Sequence, residues 1–149
     1  MPHEDAYALL NRYVKLSEEE FARLVAFHDL LLKWQAKINL IANDSIKNIW
    51  KRHFLDSLQL LPLVENANEA IIDFGSGAGF PGLVLAIAGA KNIHLIESDT
   101  RKVSFLKEAA RVTGAAVTIH HGRIENLTPM HPAIITARAL SELDTLLAL

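Results

Sequence analysis

Apolar residues in the first third of the chain recur at helical spacing. Phe21, Leu24, Val25, Leu31, Leu32 and Ile38, with His28 on the same stripe, lie three and four positions apart, the period of one helix face. Ser17 followed by Glu20 predicts a capping box, because hydroxyl and carboxylate can each serve the other residue's backbone amide. A second helix is expected to open at Asp44 or Ser45, to carry Ile46, Ile49, Trp50, Phe54, Leu58 and Leu61 on one face, and to stop near Pro62. A short helix is also expected before Lys15. Nothing in residues 1–65 alternates with the period of a strand.

Beyond Asn66 the texture changes to short apolar runs separated by glycine. AIIDF (70–74), IHLIE (93–97), AVTIHH from Ala116 and AIITARA (133–139) read as strands. Between them, Pro81 suits the first position of a helix ending by Gly89. Thr100 is expected to cap a helix that carries Val103, Leu106, Ala109 and Ala110 and stops at Gly114. Strands alternating with helix-length segments predict a parallel sheet with crossover helices, a doubly wound α/β unit. The expected organisation is an N-terminal helical extension, residues 1–65, followed by a sheet domain, residues 66–149, that is C-terminally truncated and ends in the amphipathic segment SELDTLLAL. No internal repeat, low-complexity tract or flexible linker interrupts it.

Composition narrows the function classes. The chain has 149 residues, half of them apolar, which is enough for one real core. Fifteen basic residues against 17 acidic ones create no global field, so any nucleic-acid contact must come from a local patch. The absence of cysteine removes disulfides, thiolate nucleophiles and the common zinc sites, and fits a reducing compartment. The opening MPHEDAYALLNRY has acids where a secretory signal has bases, and no apolar run approaches the roughly 18 residues of a membrane helix. A cytoplasmic protein without a membrane partner, and a monomer, is the expectation.

The strongest chemical signal is Asp73-Phe74-Gly75-Ser76-Gly77-Ala78-Gly79 at a strand-to-helix junction, where backbone amides can meet a ligand and glycine permits close approach. Two cofactor readings compete. Gly77, Gly79 and Gly82 satisfy the dinucleotide pattern GxGxxG, but the first glycine after the strand is Gly75, and that register lacks the last glycine. An acid at Asp73 would also repel a diphosphate, whereas it would tolerate a ligand with an ammonium and a sulfonium, such as S-adenosylmethionine. The carboxylate of that ligand is expected to meet the amides at the helix start near Pro81. Glu97, 22 positions after Gly75 at the end of the second strand, can accept two ribose hydroxyls in either reading. Arg123, Ile124 and Glu125 follow the third strand, and Arg138 ends the fourth, on the same rim. Replacing Glu97 is expected to weaken cofactor binding while leaving the fold nearly intact.

Local charge offers a nucleic-acid surface. From Lys33 to Arg52 there are five bases (Lys33, Lys37, Lys47, Lys51 and Arg52) against one acid, Asp44, and such a run serves equally as phosphate contact or as a solvated helix face. Lys33, Lys37, Arg52 and Arg123 are the candidate RNA contacts. Trp34 and Trp50 sit at helical spacing among apolar neighbours and read as core. The seven histidines show no chelating spacing: His120 and His121 are adjacent and would face opposite sides of a strand, and His53 reads as a hydrogen-bonded helix residue. Asp56 is given no chemistry.

DFGSGAGFPG, IESDTRKVSFLKE, GRIE (122–125) and ARA (137–139) together resemble the class I S-adenosylmethionine-dependent methyltransferases. KWQAKINLI (33–41) and RHFLDSL (52–58), upstream of the turn, narrow the resemblance to the small-subunit ribosomal RNA guanine-N7 methyltransferases, also called the glucose-inhibited division protein B family. The resemblance runs from about residue 17 to the end. It implies a Rossmann-like class I methyltransferase sheet with S-adenosyl-L-methionine held by Gly75, Phe80, Ile124, Glu125 and Arg138. It places Asp73, Gly77 and Glu97 in the usual class I roles and implies a guanine of small-subunit (16S) ribosomal RNA, free or in the subunit, as the target. The family's domain continues for further strands after the one matching ITARA, which puts methyl transfer by this chain alone in question. An NAD(P)-dependent oxidoreductase and a non-catalytic RNA-binding or assembly module are the alternatives. Guanine N7 already presents a lone pair, so no catalytic base or nucleophile is expected, only alignment.

Overall fold

Helix α1 spans His3–Asn11 and α2 spans Glu18–Gln35 in the computed structural model, which describes residues 1–123 and 133–137. The capping box is formed as its spacing predicts: the Ser17 hydroxyl accepts from the Glu20 amide at 3.0 Å and the Glu20 carboxylate accepts from the Ser17 amide at 2.9 Å. The buried stripe of α2 differs from the expected one. Leu24, Phe27 and Leu31 are buried, while Leu32 is 36% exposed. Phe27, three positions after Leu24 and four before Leu31 but absent from the expected stripe, becomes the centre of the aromatic core.

The second expected helix does not form as one rod. Asn43–Asn48 winds as a 3₁₀ helix and Trp50–Leu55 as a wider π turn. Two short α pieces follow, α3 (Asp56–Leu58) and α4 (Leu61–Val64). Tight and wide turns shift side chains around the axis in opposite senses. Most of the expected apolar face is therefore still buried: Ile49, Trp50, Phe54, Leu58 and Leu61 are all at or below 4% exposure, while Ile46 is half-buried. Pro62 does not stop a helix but sits in the first turn of α4, where its missing amide proton costs no hydrogen bond.

Four strands follow: β1 (Ala70–Phe74), β2 (Ile93–Glu97), β3 (Val117–His121) and β4 (Ala133–Ala137). Every pairing is parallel, in the order β3-β2-β1-β4. The order reverses at β1, which is where doubly wound sheets open a crevice at the carboxyl ends of their strands. Helix α5 (Gly82–Ile87) connects β1 to β2, and α6 (Thr100–Thr113) connects β2 to β3. The cap of α6 is Asp99 rather than Thr100. The Asp99 carboxylate accepts from the amides of Arg101 and Lys102 at 2.9 and 3.2 Å, and the Lys102 bond above all holds that acid below its ordinary range. Gly114 ends the helix in the left-handed region, φ 71°, as expected of a glycine past a last turn.

Helical segment and sheet share one core. Phe27 of α2 lies 5.6 Å from Phe54 in the π turn, 5.4 Å from Phe80 after the glycine turn and 6.1 Å from Phe105 of α6, measured between ring centres. Trp34 meets Phe105 at 5.6 Å, and Trp50 is 3% exposed, so both tryptophans are packing residues as expected. No described helix is long and apolar enough to cross a membrane.

Two predictions follow from the sheet. A Cβ on Gly82 would come within 2.4 Å of the Leu95 side chain and 2.7 Å of Asp73 Oδ2, whereas one on Gly122 would meet nothing within 4 Å. Gly82→Ala is expected to lose about 1–3 kcal/mol of stability to overpacking, and Gly122→Ala to stay within about 0.5 kcal/mol of the parent, by urea unfolding. His94 and His120 lie on the opposite sheet face with Nδ1 and Nε2 2.9 Å apart. Burial, then the neighbouring imidazole, lowers His94 from its ordinary 6.5. The unfolded chain therefore takes up this proton first as pH falls. The resulting stability is complete above about pH 6.5 and is lost on acidification toward the lowered value. His94→Gln should flatten that slope in melts recorded between pH 5 and 8.

Candidate functional site

The turn after β1 is built on a backbone conformation that favours glycine. Gly75, Gly77 and Gly79 have φ of 64°, 51° and 96°, in the left-handed region that side chains disfavour. The amides of Gly75 and Ser76 both donate to the Ile96 carbonyl at 2.8 and 3.1 Å. The Ser76 hydroxyl donates back to the Asp73 carbonyl at 2.9 Å. The turn is thus tied to β2 as well as to its own strand.

Glu97 closes the arrangement. One carboxylate oxygen accepts from the Gly77 amide at 2.8 Å and the other from the Asp99 amide at 2.9 Å, at 7% exposure. Each oxygen has a second lone pair available to a hydroxyl donor. Gly75, Gly77, Phe80 and Glu97 line one cavity of about 450 Å³, within the roughly 300–1,000 Å³ common for small-molecule sites. Four of the eight expected cofactor residues therefore meet on one wall.

Asp73 has a different place. Its side chain is fully buried and lies beneath the turn, where Oδ2 accepts from the Gly82 amide at 3.2 Å and Oδ1 from the Thr136 hydroxyl at 3.0 Å. The amide at the start of α5, expected to meet a ligand carboxylate, is thus already engaged by Asp73. Ile124, Glu125 and Arg138 lie outside the described residues.

The remaining wall comes from the helical segment. Leu40, Ile41, Ala42 and His53 line the cavity together with Ser98 and Lys102. The His53 ring stacks on Phe80, centres 5.0 Å apart and planes 25° from parallel. The Ser45 hydroxyl donates to the Ala42 carbonyl at 2.7 Å, so His53 Nε2–H donates to Ser45 Oγ at 2.9 Å. His53 is hydrogen-bonded as its sequence context predicts, but it is also a wall of the site. The spacing of His53 and Lys102 carries no signal of that role. Their position follows from the π turn and from the first turn of α6.

The expected RNA contacts are exposed and do not converge on the cavity lining. Lys33 lies close enough to Glu108 of α6 to help hold that carboxyl below its ordinary range, after the stronger hydrogen bond from Arg111. Arg52 approaches Asp44 at 4.0 Å, Lys37 follows α2, and Arg123 is exposed two positions beyond β3, on the rim where Glu97 pairs with His121.

The family model described as rRNA small subunit methyltransferase G (GidB) matches residues 20–149. A ribosomal RNA small subunit methyltransferase G of Paramagnetospirillum magneticum is 52% identical over 132 residues, which is 89% of this chain and 64% of that protein. The protein of the same name from Rhodospirillum centenum is 49% identical over 90% of this chain and 62% of its own length. That of Orientia tsutsugamushi strain Boryong is 42% identical over 97% and 73%. The chain thus spans somewhat less than two thirds of the first two relatives. Among solved structures, a protein-L-isoaspartate O-methyltransferase superposes with a TM-score of 0.50 over 91% of this chain and 48% of that one, at 11% identity, a likeness of fold. By sequence, the chain belongs to the rRNA small subunit methyltransferase G family.

Proposed function

We propose that the cavity beside the glycine turn binds S-adenosyl-L-methionine, and that the protein uses it to methylate guanine N7 in small-subunit (16S) ribosomal RNA in the cytoplasm, acting as a monomer. The carrying observation is the meeting of Gly75, Gly77, Phe80 and Glu97 on one cavity in a chain of this family. The bound cofactor supplies an activated methyl group on a positive sulfur. Glu97 accepts ribose hydroxyls with the lone pairs not used by Gly77 and Asp99. The absence of a side chain at Gly77, where a Cβ would lie 3.6 Å from the Gly75 carbonyl oxygen, lets a ligand reach the backbone. Phe80, backed by His53, offers an aromatic face. Ile124, Glu125 and Arg138 complete the cofactor site in this reading, and Asp73 supports it from below. Residues 1–65 act as the helical extension of a cofactor-binding domain, residues 66–149.

Guanine N7 needs no deprotonation, so the chain's task is to align acceptor, methyl carbon and sulfur and to exclude water. Lys33, Lys37, Arg52 and Arg123 serve as phosphate contacts that position the RNA rather than read its sequence.

The nicotinamide reading has less support. Its register needs Gly79 against a diphosphate, yet a Cβ at Gly79 would lie 3.1 Å from both Phe27 Cζ and Leu83 Cβ. The Gly82 amide of that register is bonded to Asp73. Calorimetric titration is expected to show saturable binding of S-adenosylhomocysteine and none of NAD, and the reverse result would retire the methyltransferase reading. Glu97→Ala is expected to weaken S-adenosylhomocysteine binding by about 1.5–3 kcal/mol. Because the Gly77 and Asp99 amides then lose their acceptor, the same change should also lower the melting temperature, a cost the sequence alone did not indicate. Incubation with small ribosomal subunits and methyl-labelled cofactor should place label on guanine. Cofactor affinity without label in RNA would favour the non-catalytic module.

A further inference from the structure

Away from the cofactor cavity, three side chains with metal-binding atoms converge where α1 crosses α2. His3, His28 and Asp29 each present one donor atom, and the three atoms lie within 4.8 Å of one another. The histidines are 25 positions apart, so no sequence spacing announces the cluster. It exists because α1, whose Ala6, Leu9 and Leu10 are buried, meets α2 through an edge-to-face contact between Tyr7 and Phe21 at 4.6 Å.

We propose that His3, His28 and Asp29 bind a divalent transition-metal cation of the zinc type, and that the bound ion fastens α1 to α2. The His28 ring is fixed before any ion arrives. It stacks on Trp50, centres 4.9 Å apart and planes 13° from parallel, and its side chain is only 13% exposed. The His3 ring stands edge-on to both, 5.8 Å from His28 and 6.2 Å from Trp50. Asp29 holds one carboxylate oxygen 3.0 Å from His28 Nδ1 and is 63% exposed. Donors around zinc at about 2.0–2.1 Å stand roughly 3.0–3.4 Å apart. The cluster therefore has to close by rotation of the two exposed side chains, His3 and Asp29, onto the fixed one. Two imidazoles with one carboxylate favour zinc, nickel or copper over magnesium or calcium, which prefer all-oxygen shells. His3 also lines a groove of about 360 Å³ with Glu4, Tyr7, Glu18 and Phe21, which gives an ion a path to that ring.

The test is calorimetric titration of the untagged chain with ZnCl2 and, in parallel, MgCl2. One saturable zinc site, no magnesium response and a raised melting temperature in zinc are expected, since a ligand of the folded state stabilises it. His3→Gln and Asp29→Asn change exposed side chains and should retain the parent circular dichroism spectrum. Each should weaken zinc binding at least about tenfold. His94→Gln, which breaks the other close imidazole pair, should leave the affinity unchanged. Hydrogen exchange of the α1 amides should slow in zinc. Absence of saturable zinc binding, affinity unchanged in both His3→Gln and Asp29→Asn, loss of binding in His94→Gln, or α1 exchange indifferent to zinc would each overturn the proposal.

Discussion

A carboxylate with no solvent contact sits at the end of the first strand, and the architecture is organised around satisfying it. An unpaired buried carboxylate costs several kcal/mol, so Asp73 must be met by donors from more than one element. The Gly82 amide brings α5 to it and the Thr136 hydroxyl brings β4. The two bonds hold the strand order at the point where it reverses, and they need Gly82 to lack a side chain. Asp73 is thus a brace under the glycine turn, joined to α5 and β4.

Above that brace, the turn and the helical segment form one object. Left-handed glycines allow the chain to fold over the end of β1, Glu97 fixes the Gly77 amide, and the ends of β1 and β2 close one wall. The other wall is the π turn with His53 and the loop from Leu40 to Ala42. The residues upstream of the sheet are therefore structural members of the cavity. The basic residues between Lys33 and Arg52 are spread along exposed surfaces, and two of them already have acids within their field.

Much of this was legible in the sequence because its causes are local. The capping box at Ser17, the glycine stop at Gly114 and the four apolar strand runs each depend on residues a few positions apart. Most of what could not be read depends on distant partners. Between Asn43 and Leu55 the winding passes from 3₁₀ to π while Trp50 and Phe54 pack into the aromatic core, an arrangement that a single helical period does not announce. Thr100 and Asp99 are both capable caps, and the carboxylate one position earlier reaches two amides of the turn. The roles of His53 and Lys102 in the cavity, and the meeting of His3 with His28, arise only when separate elements are packed together. The glycine turn was readable for a further reason: positive φ restricts the residue type, whereas the two amides that Glu97 ties together carried no sequence signal.

The contact between Phe27 and the glycine turn carries a consequence for how the molecule loosens. The ring fills the space that a side chain at Gly79 would take, so the turn rests on α2 as a keystone rests on its neighbours. Thermal excursions that lift α2 must release the turn as well, and the two belong to a single cooperative opening unit. A graft of the glycine loop and sheet onto another scaffold, without the helix that supplies Phe27, would carry over the letters of the motif and leave its rigidity behind.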